Sequence, residues 1–107
     1  MSERVKIPSS TGDLSGVLAI PAGDAKAPGV VVLQEWWGIN DQIQAVAQRW
    51  ADAGFLALVP DLYHGKVAAT SEEAGRMMKA LDFGVAVQEI VAAVVYLRDH
   101  ARSTGKI

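Results

Sequence analysis

The sequence predicts an α/β fold: a short N-terminal hairpin, then parallel strands with flanking helices. Three observations predict it. Two apolar runs of strand length, 29–34 and 55–59, bracket a segment whose apolar residues recur at helical spacing. The connections between these pieces are short, so strand, helix and strand form a βαβ unit with parallel strands. Upstream, two short strand-like stretches flank a run of turn residues, the pattern of a hairpin.

Val5 and Ile7 open the first strand, and Pro8-Ser9-Ser10-Thr11-Gly12-Asp13 supplies the turn. Leu14 to Ile20 reads as the second strand. Residues 21–29 carry two prolines and two glycines and form a loop. Gly29 to Gln34 is a continuous apolar run, the kind that suits a parallel strand buried on both faces. From Asp41 the period changes: Ile43, Val46, Ala47, Trp50 and Ala51 line one face of a helix. Asn40 or Asp41 caps its start, and Gly54 stands where a left-handed C-terminal cap belongs. Phe55 to Val59 is the next strand, stopped by Pro60. Thr70 and Glu73 form a capping box for a short helix to about Leu81. Asp82 caps a third helix, whose expected buried stripe is Val87, Ile90, Val91, Val94 and Val95. His100 to Gly105 ends that helix in polar residues, and Lys106-Ile107 reads as the first step into another strand.

Composition narrows the function classes. The 107 residues suffice for one modest domain, and half of them are hydrophobic with 21% charged, a globular balance. A net charge of −2 gives no electrostatic case for nucleic acid or an anionic membrane. The N-terminus lacks an apolar signal core and no apolar stretch approaches spanning length, so a cytoplasmic location is expected. The absence of cysteine excludes disulfides, thiolate metal ligands and a cysteine nucleophile within these residues. The two histidines lack ligand spacing and the glycines form no phosphate-binding fingerprint, so neither metal nor cofactor is expected.

The chemistry concentrates where the first parallel strand ends. Glu35 places a carboxylate at that strand's C-terminal end, which in open α/β sheets faces the ligand crevice. The stretch Gln34-Glu35-Trp36-Trp37-Gly38-Ile39-Asn40, followed by Val59-Pro60-Asp61-Leu62-Tyr63, resembles the dienelactone hydrolase family of α/β-hydrolase-fold enzymes. The region up to Ser103-Thr104-Gly105-Lys106-Ile107 is similar to the family segment that precedes the nucleophile strand. The resemblance implies that residues 1–107 are a single partial domain, the N-terminal half of an α/β-hydrolase fold, ending before the nucleophile strand.

What the resemblance implies for function follows residue by residue. Glu35 matches the glutamate that contacts the nucleophilic cysteine and tunes its ionisation. The backbone N–H of Trp36 matches an oxyanion-hole donor. The nucleophile, usually cysteine in Gly-x-Cys-x-Gly, and the aspartate and histidine of the triad would lie beyond Ile107. Arg76 is a candidate for the arginines that hold a substrate carboxylate. The substrate implied is a small-molecule ester or lactone, and the chain alone is expected to be inactive because nucleophile and base act as a unit.

Plainer roles stand beside these. Glu35 could be a solvated turn residue or half of an ion pair. Of Trp36 and Trp37, one is expected to line a pocket and the other to pack under the sheet. His64 precedes the nucleophile position, against the triad order of α/β hydrolases, so it reads as a rim histidine. His100 reads as a cationic cap at a helix C-terminus. Asp61 is expected to order its loop by bonding backbone N–H groups. A second reading of the whole chain is a half-domain that forms a homodimer, or pairs with a second half, through an open sheet edge. A third is a non-catalytic binding module.

Overall fold

The computed structural model describes residues 2–12 and 14–107; Asp13, assigned above to the hairpin turn, lies outside the described residues. Strands β1 (Ser2–Ile7) and β2 (Leu14–Ala19) form the expected antiparallel hairpin, with Ser2 opposite Ala19 and Ile7 opposite Leu14. Strand β3 (Gly29–Val31), helix α1 (Asp41–Asp52) and strand β4 (Leu56–Pro60) follow, and β3 and β4 are parallel. β4 also pairs antiparallel with β2, which gives the sheet order β1-β2-β4-β3. Helices α2 (Ser71–Ala80) and α3 (Phe83–Asp99) complete the chain.

Local chemistry sets the helix ends. The Asn40 side chain accepts the N–H of Ile43, the Thr70 hydroxyl accepts that of Glu73, and the Asp82 carboxylate accepts that of Val85. Gly54 takes the left-handed conformation after α1 that its position predicts, with φ 98°.

Two layers of helix enclose the sheet. On one face Ile43, Ala47 and Ala51 of α1 pack with Val17, Ala57 and Val59. On the other, Ala93 and Leu97 of α3 pack with Ile7, Leu14, Leu18, Leu56 and Leu58. β4 lies between the layers and is buried along its whole length. No single helix among the described residues is long and apolar enough to cross a membrane.

Two expectations need correction. The apolar run 29–34 is regular strand only to Val31, and Leu33 is half exposed rather than buried on both faces. β3 is the outer strand of the sheet, and beyond Gly29 no second neighbour among the described residues extends and covers it. The α3 face also differs. Its buried side carries Ala86, Glu89, Ala93 and Leu97, while Val87 and Val91 are 58% and 56% exposed, next to Phe83 at 66%. Small alanines let the helix axis approach the sheet closely, and larger apolar residues lie all around this helix. Apolar spacing alone therefore does not choose its buried face.

The segment after α3 returns to the sheet edge. The Ala27 N–H donates to the Arg102 carbonyl at 2.7 Å, Thr104 N–H to Ala27 at 3.0 Å, and Gly29 N–H to Lys106 at 2.7 Å. A single parallel bridge joins Ala27 and Ser103, and Lys106 and Ile107 themselves form no regular strand.

Candidate active site

The candidate site is built by two loops that leave the C-terminal ends of the parallel strands. After β3 the backbone turns sharply: the Gly38 N–H donates to the Glu35 carbonyl at 3.3 Å, closing a turn over Trp36 and Trp37. Gly38 has φ 90°, and a Cβ there would stand 2.6 Å from the Lys66 carbonyl oxygen. Only glycine satisfies both the conformation and the close approach. The Trp37 carbonyl accepts the Ala68 N–H at 2.9 Å, and the Gln34 side chain accepts the Leu62 N–H at 2.9 Å. The loop after β3 is thereby fastened to the loop after β4.

That second loop is organised by Asp61. Its buried Oδ2 accepts the Gly65 N–H at 2.8 Å, and Arg4 approaches the same oxygen at 3.5 Å. The structure thus gives Asp61 the loop-ordering role its sequence position suggested, with Arg4 of the first strand added.

Glu35 is exposed at the start of the turn. It shares a narrow notch with Trp37, Gly38, Asn40 and Ile43, beside the first turn of α1. That is the positive end of the helix dipole, a favourable place for a carboxylate. The Trp36 N–H has no acceptor among the described residues. Its indole is 39% exposed and meets that of Trp37 edge-on, ring centres 5.6 Å apart. Neither tryptophan belongs to a core cluster, so the expectation that one packs under the sheet does not hold.

A family model for the dienelactone hydrolase family matches residues 14–107. The chain belongs to that family. Carboxymethylenebutenolidase of Pseudomonas putida is 29% identical over all of this chain and 49% of its own length. Protein usf of Aquifex pyrophilus is 35% identical over 73% of this chain and 34% of its own length. A Klebsiella pneumoniae subsp. pneumoniae protein assigned as a dienelactone hydrolase has a crystal structure that superposes with a TM-score of 0.84 at 21% identity. That match covers 98% of this chain and 46% of that one. The chain therefore spans half or less of the relatives it matches, and its fold is that of a partial α/β-hydrolase domain.

Within this dienelactone hydrolase portion, Glu35, Trp36 and Trp37 stand together on one turn. Arg76 is exposed on α2 and lines neither the Glu35 notch nor the larger cleft beside α2. His100 is the C-cap of α3, as its position suggested, but its Nδ1 accepts the Arg102 N–H at 3.0 Å. The ring thus holds the turn as a hydrogen-bond acceptor. Among the described residues no group of three or more histidine, aspartate and glutamate side chains could hold a metal.

Two functional-looking residues escaped the sequence reading. Gln34 was visible only as part of a motif, and its partner Leu62 lies 28 residues away. Glu89 is only 2% exposed and bonds to His64 Nε2 at 2.7 Å. Its signal was available: it is the only charged residue between Asp82 and Arg98.

Proposed function

We propose that this chain forms the front wall of the catalytic site of a carboxylic ester or lactone hydrolase working in a cytoplasmic setting. Glu35 contacts and tunes a nucleophile carried by a segment that follows Ile107. The Trp36 N–H is one of two oxyanion donors, and Trp37 contacts the apolar part of the substrate. Arg76 meets a substrate carboxylate. Residues 1–107 alone are inactive. The observation that carries the reading is the Trp36 N–H, unpaired among the described residues at a turn whose shape Gly38 enforces, beside the Glu35 carboxylate. Preorganised donors of this kind stabilise a tetrahedral oxyanion without reorganising during the reaction.

The test begins with the codons after Ile107. An apolar strand entering Gly-x-Cys-x-Gly or Gly-x-Ser-x-Gly is expected. In the protein so encoded, Glu35→Gln should lower kcat/KM for an aryl ester or lactone by about tenfold or more, with an unchanged circular dichroism spectrum. Unchanged kcat/KM removes Glu35 from the mechanism, and a stop codon directly after Ile107 removes catalysis from this chain.

A second reading, association through the sheet edge, is favoured by one observation. The Gly29 N–H points outward to Lys106, so by strand alternation the N–H and C=O of Val31 point outward too. Neither has a partner among the described residues. Sedimentation equilibrium of residues 1–107 tests this reading: a discrete dimer supports strand pairing between copies, and a monomer opposes it.

A further inference from the structure

Helix α3 and the loop after β4 are joined by one side-chain bond. His64 Nε2 and Glu89 Oε2 lie 2.7 Å apart. Glu89 is only 2% exposed, and its other oxygen has no partner among the described residues. A buried carboxylate is costly unless it is paired, so the fold does not readily give this bond up. His64 itself is exposed, and little packing fixes it. Its backbone has φ 52°, a left-handed conformation that a residue with a Cβ seldom adopts. Such strain persists only where the surroundings enforce it. Here they are the Glu89 bond and two local turns, His64 N–H to the Asp61 carbonyl and Lys66 N–H to the Tyr63 carbonyl, each at 3.3 Å.

The same loop supports the Glu35 turn. The Ala68 N–H donates to the Trp37 carbonyl, and the Lys66 carbonyl and Tyr63 ring stand against Gly38. A short path of contacts thus runs from Glu89, through His64 and its neighbours, to the turn that presents the Trp36 N–H. Gln34 holds Leu62 and Asp61 holds Gly65, but among the described residues His64 makes the only side-chain bond from this loop to a helix. We infer that His64 is a positioning residue for the Trp36 N–H. Its bond to Glu89 sets the 63–68 loop, and the loop sets the Trp36–Trp37 turn. This role rests on the proposed oxyanion function of Trp36 and gives His64 no part in proton transfer. Small displacements of a donor that acts on a developing charge are expensive in rate.

Fluorine NMR of the chain labelled with 5-fluorotryptophan tests the latch without needing catalysis. The three tryptophans give three signals, and Trp50, at the far end of α1 against Phe55, is the internal reference. His64→Gly removes the imidazole and leaves a residue for which positive φ is unstrained. It should shift the Trp36 and Trp37 signals and leave that of Trp50 in place. Glu89→Ala should do the same, whereas Glu89→Gln, which keeps an acceptor for the imidazole, should retain the parent signals. Where the codons after Ile107 encode a longer protein, His64→Gly in that protein should lower kcat for an aryl ester by about tenfold or more, with KM little changed. Unmoved Trp36 and Trp37 signals in His64→Gly overturn the inference. So does movement of all three signals, which would mean a general loosening, and so does an unchanged kcat. A longer protein without esterase activity counts against the hydrolase reading, and the fluorine signals still decide whether His64 sets the turn. If Glu89→Ala fails to fold, His64→Gly, at an exposed position, decides by itself.

Discussion

The Gln34 side chain spans from the end of β3 to the backbone N–H of Leu62, 2.9 Å away beyond the end of β4. It is the side-chain tie between the two loops that form the candidate site. Gln34→Ala leaves that N–H without its acceptor in a partly buried place, at a cost of about 1–3 kcal/mol. Urea denaturation should show the lower midpoint. An unchanged midpoint would mean that water replaces the side chain without loss.

Gly38 and Gly54 separate two effects of a left-handed backbone. Both have positive φ, but a Cβ at Gly38 collides with the Lys66 carbonyl whereas one at Gly54 meets nothing within 4 Å. Gly54→Ala is expected to cost about 1 kcal/mol of backbone strain. Gly38→Ala should cost clearly more and should displace the 63–68 loop. Equal losses in thermal unfolding would show that the close approach relaxes freely.

The orientation of α3 is testable by two substitutions. Leu97 is fully buried against the sheet, so Leu97→Ala should cost about 2–5 kcal/mol. Val91→Lys, on the exposed side, should change stability by no more than about 0.5 kcal/mol. A large loss from Val91→Lys in denaturant titrations would show that this face is covered in solution.

Burial pushes the Tyr63 phenol above its usual value of 10.0. Tyr96 moves the same way through burial, with the Glu3 charge adding to the rise. Both groups hold their protons more tightly when folded. Stability is therefore intact below the unfolded-state value near 10, and falls as pH rises from there through the folded values. Absorbance titration of the folded chain should show ionisation beginning above the range of free tyrosine. Tyr63→Phe should soften the alkaline loss. Because the hydroxyl has no partner among the described residues, the same change at neutral pH should be neutral or mildly stabilising. Marked destabilisation at neutral pH would indicate a partner for that hydroxyl.

What the sequence made legible was local. Asn40, Thr70 and Asp82 act on N–H groups three residues ahead, so their caps could be placed from spacing alone. The Glu35 turn was legible for the same reason: an apolar run meets Gly38 within a few residues. The buried face of α3 was not. Valines lie on both of its sides, and its rotation is set by Ala93 and Leu97 against β-strand residues far back in the chain, and by Glu89 against His64. Motif reading identified Gln34 as part of a pattern without revealing what it holds. A hydrogen bond to a backbone N–H leaves no mark on the identity of the residue that donates it.

Arg102 donates from its side chain to the carbonyls of Ala25 and Pro21, the latter 81 positions earlier in the chain. Closing so long a loop carries an entropic cost that nearby contacts do not share, and topologies rich in distant contacts fold slowly. On a ribosome, the 21–27 loop has to wait until almost the last of these residues has been made before it is clamped. The hairpin and the first βα unit can settle early, and the outer margin of the sheet is then the slow step of folding, the stretch most exposed to mispairing while the chain is young.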